Sequence, residues 1–353
     1  MKIYEGRMKF GMDKKVVLVT NGTSYVGAWI VKYLLEDGHQ VRITVENKEE
    51  VESYKYLLEL SEQTTGTIEA YDGNLMNEGS FDEAVEGAEI VIHTDYQTFS
   101  NFVDAEKEVV QPAVKGVKNV FEAINKSSSV KKVVVTGRMD SIYCDRLEFT
   151  ERGNVPFDEK CWNTASTLDY QPLSYAKTLS EKAIWDEYEC QEQHKYEVVV
   201  INTGILIGPS VTNTPEFPSA VIVRNMVNGA LGAGTPEIFD AFVDVRDAAK
   251  AHISAAFKEE AKGRFIVSGG IATFLNIAKI IEGKYPKKFK LPKKNIPKWM
   301  VSFSASRAGV SKEYVKRNVG CPIKVNTTKS EEILGLEYTS LEKSILDQVE
   351  QLQ

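Results

Sequence analysis

Residues Lys14 to Leu35 read KKVVLVTNGTSYVGAWIVKYLL. A continuous apolar run leads into a short polar turn and then into apolar residues at helical spacing, which predicts a strand, a tight turn and a helix. Such a turn can hold a dinucleotide pyrophosphate against the N-terminus of the helix. Where such turns carry glycines at three-residue spacing, this one has Asn21, Ser24 and Gly27.

Strand-like runs alternate with helical patterns through the first two thirds of the chain, which is typical of βαβ units and a parallel sheet. The later strands are short Val/Ile runs, as expected when helices cover both faces of the sheet. They read QVRITV, GTIEAYDG, EIVIHT, KKVVVTG and YEVVVINTGILIG. After about Gly208 the elements become mixed and irregular. We therefore predict an α/β fold, a doubly wound parallel sheet with a smaller substrate-side lobe.

Composition limits the partners of the 353-residue chain. A net charge of -7 argues against nucleic acid or an anionic membrane as the main partner, because no broad basic face is supplied. The stretch KYPKKFKLPKK, Lys284 to Lys294, is the local exception, and we interpret it as a solvated loop. The four cysteines and four histidines show no metal-ligand spacing, so no metal is predicted. The N-terminus lacks a signal sequence and no run is long enough to span a membrane, so a cytoplasmic location is predicted.

Six further stretches occur in a specific order and spacing: GSFDEAVEGAEIVIH, VVQPAVKGVKNVFEA, KTLSEKAIW, FVDVRDAAKAHI, GRFIVSG and KSEEILGLEYTSLEKSILD. With them, the chain from Lys14 to Leu352 resembles the extended short-chain dehydrogenase/reductases of the dihydroflavonol reductase, cinnamoyl-CoA reductase and yeast aldehyde reductase group. The resemblance implies NAD(P)H-dependent carbonyl reduction and a Rossmann-type domain with a small C-terminal substrate lobe. It divides the chain into an N-terminal extension (1–13), a Rossmann-type NAD(P)-binding-like domain (14–208) and a smaller lobe (209–353) interleaved with the sheet in one compact unit.

The family's chemistry needs a Tyr four residues before a Lys, and a Ser at the end of a neighbouring strand. The resemblance places Lys177 at the Lys position, whereas Leu173 and Arg138 occupy the Tyr and Ser positions. Neither replacement is a proton donor at neutral pH. Tyr175 lies two residues before Lys177, on the opposite side of a helix, and is interpreted as an ordinary packing or surface residue. Two displaced groups remain open as substitutes, Tyr170 and Ser141.

The cofactor site departs from the family in the same way. If a dinucleotide binds, the turn would hold it through Gly22, Thr23, Tyr25, Val26 and Gly27. Asn21 tolerates the left-handed backbone of the first glycine, but Ser24 puts a side chain against the pyrophosphate. Glu46 would repel the 2′-phosphate of NADPH, although it could accept from the 2′-OH of NADH. Further departures lie at the same sheet edge, in Asp95, Tyr96 and Thr203. The sequence thus predicts no cofactor, or weak NAD(H).

These departures coincide at the ligand edge while the scaffold motifs stay intact. They favour a non-catalytic homologue, a structural or regulatory subunit bound to a protein partner, without nucleic acid, membrane or small-molecule substrate. Two alternatives remain open: an active NADH-dependent aldehyde or ketone reductase with displaced groups, and a dinucleotide sensor without turnover. Asp244, Arg246 and Asp247 are predicted to brace the lobe against the sheet, and His93 to be a core histidine.

Overall fold

The computed structural model describes residues 13–94, 102–191, 195–212, 218–305 and 310–353. Within these residues the strands are β1 (Val16–Thr20), β2 (Gln40–Val45), β3 (Thr67–Asp72), β4 (Ile90–His93), β5 (Lys132–Arg138), β6 (Glu197–Thr203), β7 (Ile205–Ile207), β8 (Asp240–Asp244), β9 (Gly263–Val267) and β10 (Gly270–Ala272). Seven form a parallel sheet in the order β3-β2-β1-β4-β5-β6-β9. The strand order reverses between β1 and β4, which places a ligand crevice at their carboxyl ends.

The helices cover both faces of this sheet and build the lobe. They are α1 (Tyr25–Glu36), α2 (Lys55–Glu62), α3 (Asp82–Val85), α4 (Gln111–Lys126), α5 (Leu147–Glu151), α6 (Pro172–Glu189), α7 (Pro218–Val227), α8 (Val245–Phe257), α9 (Phe274–Lys284), α10 (Lys298–Ser304), α11 (Lys312–Asn318), α12 (Thr328–Leu334) and α13 (Leu341–Gln351). The architecture is the predicted Rossmann-type doubly wound α/β fold.

Strand β1 explains why the core has two halves. Val17, Leu18 and Val19 are fully buried, and successive side chains of a strand point to opposite faces. Val17 and Val19 accordingly join the core under α1 and α8, whereas Leu18 joins the core under α4 and α6. The unbroken apolar run of β1 is therefore the signature of a strand covered on both sides.

The run predicted as one strand, YEVVVINTGILIG, divides at Gly204 into β6 and β7. A Cβ on Gly204 would lie 2.6 Å from the backbone oxygen of Ala241, so only glycine allows the chain to pass this close to β8. Strand β7 then pairs with β8 in a second sheet of order β10-β8-β7, which supports the lobe. Strand β9 returns to the main sheet after the lobe has begun.

The predicted brace between lobe and sheet is present. Asp244 caps α8 by accepting from the Arg246 backbone N–H at 2.8 Å. The Arg246 guanidinium bonds to Asp244 at 2.6 Å and to Asp347 of α13 at 2.8 Å. Asp247 accepts from the backbone N–H of Thr339 at 2.6 Å. These charges therefore hold the C-terminal helix rather than a ligand.

In the part of the chain that the structure describes, none of the helices combines the length and apolar character needed to cross a membrane. The compartment stays a prediction.

Two buried histidines make stability depend on pH. Burial lowers the pKa of His93 and of His252 from 6.5 to about 4, with a further contribution from the Lys177 ammonium at His93. Because the unfolded chain binds more protons between these values, the free energy of unfolding falls as the pH drops from 6.5 towards 4, by about 3 kcal/mol for each histidine. We expect His252→Gln, which cannot be protonated, to flatten this dependence. Urea unfolding of the wild type and of His252→Gln between pH 6.5 and 4 measures this dependence. If the free energy of unfolding changes with pH equally in both proteins, the expectation is contradicted.

Candidate active site

The turn between β1 and α1 keeps the backbone of a dinucleotide turn without its usual glycines. Asn21 takes a left-handed φ of 45° at the first glycine position. Its N–H donates to the Thr44 hydroxyl at 3.0 Å, which fixes the start of the turn against β2. A Cβ on Gly22 would lie 2.4 Å from a methyl carbon of Ile43, so the second turn residue must remain glycine.

Ser24 is built into this turn as the N-cap of α1. Its Oγ accepts from the Gly27 N–H at 3.1 Å and lies 3.0 Å from the Thr94 hydroxyl at the end of β4. This differs from the expectation that Ser24 only obstructs the pyrophosphate, because the side chain is held by hydrogen bonds to the helix and to β4. Serine is among the best residues for this capping role.

The five predicted cofactor-binding residues lie together at the start of α1, with Thr23 half-buried and the others buried. Tyr25 and Val26 are only 4% and 5% exposed, and the Tyr25 hydroxyl donates to the Gly208 carbonyl of the lobe. Their side chains therefore serve packing, and their backbone N–H groups are the part suited to a phosphate.

Gly27 provides a test of how tightly the turn is built. A Cβ there would lie 2.6 Å from the Asn21 carbonyl oxygen and 2.6 Å from Ser24 Oγ. We expect Gly27→Ala to lower the free energy of unfolding by about 1–3 kcal/mol, because backbone has to move. Gly283→Ala in α9 is the matched control, since it meets open space and should stabilise the helix by about 1 kcal/mol. Urea unfolding of both variants measures the difference. Equal urea concentrations at the midpoints of unfolding would contradict the expectation.

A narrow cavity lies between the ends of β4 and β5 and the helices α4 and α6. Its polar lining comprises His93, Thr136, Arg138, Ser141, Lys177, Ser180 and Glu181. His93 is 2% exposed and its Nδ1 lies 2.8 Å from the Thr20 hydroxyl. The Lys177 ammonium is close enough to His93 to help lower its pKa. Lys177 therefore carries its charge at the carboxyl edge of the sheet, one strand from the turn.

Arg138 ends β5 at the mouth of this cavity. Its Nε donates to Asp140 at 2.9 Å, and the hydroxyl of Ser174 donates to the same carboxylate at 2.8 Å. Burial acts to raise the pKa of Asp140, but the Arg138 charge and these hydrogen bonds hold it below its usual value. The guanidinium is thus tied to the first turn of α6, where Leu173 is 45% exposed.

The two displaced candidates have different surroundings. Ser141 is 1% exposed, lines the cavity, and donates to the backbone carbonyl of Lys177 at 3.2 Å. Tyr170 instead donates to Asp145 at 2.7 Å, and burial together with that carboxylate raises its pKa. Tyr175, interpreted as a packing residue, packs beside Val109 at the start of the α4 segment. Ser141 alone of the two candidates therefore shares the cavity with Lys177.

A buried ion pair at the cavity was not predicted from the sequence. Glu181 of α6 and Arg264 of β9 approach to 2.6 Å, and their side chains are 3% and 7% exposed. Arg264 also donates to the Ser141 carbonyl at 3.2 Å, and Glu181 accepts from the Asn202 amide at 2.8 Å. The sequence feature that could have indicated this ion pair is the arginine within the otherwise apolar strand GRFIVSG. The pair ties both β9 and α6 to the segment that carries Ser141.

A second polar cluster surrounds Asp145. Within the described residues, Cys144, Asp145 and Glu148 form a group close enough to share a metal ion. The Asp145 carboxylate, however, already accepts from Arg317 at 2.6 Å and from Asn318 at 2.7 Å. This arrangement joins α11 to the loop between β5 and α5. The absence of a metal stays a prediction. Asp95 and Tyr96 lie outside the described residues.

Comparison with known proteins gives consistent matches. The sequence matches the NAD dependent epimerase/dehydratase family over residues 17–268. It is 31% identical over 343 residues to a cinnamoyl-CoA reductase of Medicago truncatula, covering 96% of this chain and 95% of the relative. It is 30% identical over 294 residues to an anthocyanidin reductase of Vitis vinifera, covering 80% and 84%. The structure of Gre2 from Candida albicans in complex with NADPH aligns with a TM-score of 0.78 at 28% identity, covering 96% of this chain and 98% of that chain.

These matches correct two expectations. The relatives are reductases, so the expected non-catalytic homologue, a structural or regulatory subunit, is wrong, and the alternative of an active reductase fits better. The expectation of no cofactor or weak NAD(H), with NADPH disfavoured by Glu46, is also wrong, because the fold that holds NADPH in Gre2 is present. Physically, Ser24 completes the turn as a cap, and Glu46 is exposed to solvent. The predicted resemblance is confirmed: the chain belongs to the NAD dependent epimerase/dehydratase family, among relatives that are reductases.

Proposed function

We propose that the protein is an NAD(P)H-dependent reductase of small aldehydes or ketones in which Ser141 acts as proton donor in place of the family's Tyr, and Lys177, at the family's Lys position, stabilises the developing charge. The observation that carries the proposal is the cavity at the carboxyl edge of the sheet, where a buried hydroxyl and an ammonium group lie beside the strand ends. It lies one strand from a turn with the backbone of a dinucleotide site.

The turn fits a dinucleotide. Asn21 reproduces the left-handed backbone of the first glycine, and Ser24 closes the turn as the cap of α1. The first turn of α1 contributes N–H groups that have no helical acceptor. The half-buried Lys48, two residues after the exposed Glu46, would turn its ammonium from the Asp72 carboxylate, 3.9 Å away, to the 2′-phosphate of NADPH. When bound, the reduced nicotinamide supplies a hydride to the carbonyl carbon.

The residues around the cavity would then stabilise the negative charge on the substrate oxygen and supply its proton. Negative charge develops on the substrate oxygen, and a nearby ammonium stabilises it, so Lys177 is the electrostatic group. Ser141 is the candidate donor: its hydroxyl would exchange its bond to the Lys177 carbonyl for one to the substrate oxygen and pass its proton to that oxygen. The oxygen of Ser141 would then take a replacement proton from solvent as the alcohol leaves. Arg138 stays paired with Asp140 and closes one side of the cavity.

Ser141→Ala tests this assignment. We expect kcat for NADPH-dependent reduction of an aldehyde panel to fall about 100-fold, within the range for loss of a proton-transfer group. Ser180→Ala is the matched control, because Ser180 lines the same cavity from the next turn of α6. It should retain activity within about twofold, since no role is assigned to it. Wild-type activity in Ser141→Ala, with KM and the pH profile unchanged, would contradict the proposal.

A protein partner was expected from the sequence, and it stays a prediction alongside the proposed reaction. A small carbonyl substrate replaces the expectation that none binds, because the proposed reductase requires one.

A further inference from the structure

Helix α10 presents an apolar stripe to solvent. Trp299, Met300 and Phe303 are 71%, 45% and 80% exposed. Trp299 and Phe303 are four residues apart and Met300 and Phe303 three apart, so the three side chains share one face of the helix. The opposite side of the helix carries Val301, which packs against Val315 of α11. The stripe is therefore an outer face, not a gap in the core.

The segment before α10 concentrates positive charge. Lys284 to Lys298 contains seven lysines and no acidic residue, in a chain whose net charge is -7. All seven are exposed, and in the described part of the chain none of them forms an ion pair, unlike Lys15, Lys126 or Lys343. We call Lys284 to Phe303, with its lysines and its apolar stripe, the basic aromatic surface.

This surface is held in place by the lobe. Leu291 is 4% exposed and joins the core formed by Ile277 and Ile281 of α9. The backbone N–H of Ile296 donates to the Thr235 carbonyl at 2.8 Å, and Ala305 after α10 is 3% exposed. The lysines and the stripe are thus presented by an ordered scaffold, which limits the ordering cost of binding.

We propose that the basic aromatic surface binds the headgroup region of an anionic membrane, with Trp299 and Phe303 inserted at the interface. Aromatic rings favour the boundary between headgroups and acyl chains, and clustered lysines are attracted to anionic lipids. Nucleic acid is the less suitable occupant: the segment contains no arginine for bidentate phosphate contacts, and Met300 extends the stripe with an apolar side chain. The sequence interpretation of a solvated loop accounts for the lysines but not for the stripe.

Vesicle flotation of the full chain tests the proposal. We expect binding to phosphatidylcholine vesicles that contain phosphatidylserine, no binding to pure phosphatidylcholine vesicles, and weakening at raised salt. Trp299→Ala/Phe303→Ala and Lys293→Glu/Lys294→Glu should each reduce the bound fraction about tenfold. The reductase activity proposed above should be unchanged in both, so the two proposals fail separately.

Matched controls remove exposed groups elsewhere. Val51→Ala/Leu168→Ala takes away two apolar side chains that are 46% and 39% exposed, and Lys115→Glu/Lys118→Glu reverses two charges on α4. Both should bind like wild type. No flotation, or flotation that survives Trp299→Ala/Phe303→Ala, overturns the proposal. Binding to a single-stranded RNA homopolymer that exceeds binding to vesicles overturns it too and assigns the surface to nucleic acid.

Discussion

Lys177→Met is expected to lower kcat/KM for NADPH-dependent carbonyl reduction by about 10²- to 10⁴-fold, because it removes the charge that would stabilise the developing oxyanion. Methionine keeps the length of the side chain and its packing in the cavity. Lys182→Met is the matched control on the same helix. Lys182 is exposed, and its ammonium lies 5.8 Å from the Trp162 ring centroid in a separate surface pocket. Steady-state kinetics of the two variants compare these positions directly.

A second readout separates charge from packing. The Lys177 ammonium helps to lower the pKa of His93 to about 4, with burial as the larger cause. In Lys177→Met we expect this pKa to rise, while burial keeps it below 6.5. NMR titration of the His93 ring measures it. A His93 pKa and an activity both equal to those of Lys182→Met would contradict the placement of the ammonium beside the strand ends.

Arg264→Met should lower the free energy of unfolding by about 3–5 kcal/mol. It leaves the Glu181 carboxylate 3% exposed without its cation, and it removes the donor to the Ser141 carbonyl. A loss of this size is a large part of the stability of a typical domain. Urea unfolding measures it.

The double variant Arg264→Met/Glu181→Gln keeps this prediction testable if the single variant does not fold. Neutralising Glu181 removes the uncompensated buried charge, so the double variant should recover part of the loss. The amide oxygen of the substituted side chain can still accept from the Asn202 amide, as the carboxylate does in the wild type. A double variant no more stable than Arg264→Met would contradict the view that the unpaired charge causes the loss.

The strands and the doubly wound order could be predicted because their signals are local. Apolar runs such as KVVLVT specify strands covered on both faces, and the alternation with helices specifies a parallel sheet. The division of one predicted strand at Gly204 was missed because its cause is the close approach of β8, which comes much later in the chain.

The candidate site was harder to predict, because its contacts join residues far apart in sequence. Arg264 lies 83 residues from Glu181 in the sequence. The hydroxyl of Tyr170 donates a hydrogen bond to Asp145. The departures from the family pattern at the catalytic and cofactor positions favoured a non-catalytic protein. The pattern could not reveal that Ser24 caps α1 or that Ser141 reaches the Lys177 cavity, since both follow from three-dimensional packing.

Transfer of an isotope label from the cofactor to the substrate would show whether the protein catalyses hydride transfer. The full chain is incubated with NADPH carrying deuterium at nicotinamide C4, in each stereoisomer separately, and with each aldehyde or ketone of the panel. We expect deuterium on the carbinol carbon of the alcohol product from one stereoisomer, and loss of this transfer in Lys177→Met. Unlabelled substrate recovered intact, at cofactor concentrations shown by fluorescence titration to saturate the protein, would contradict it.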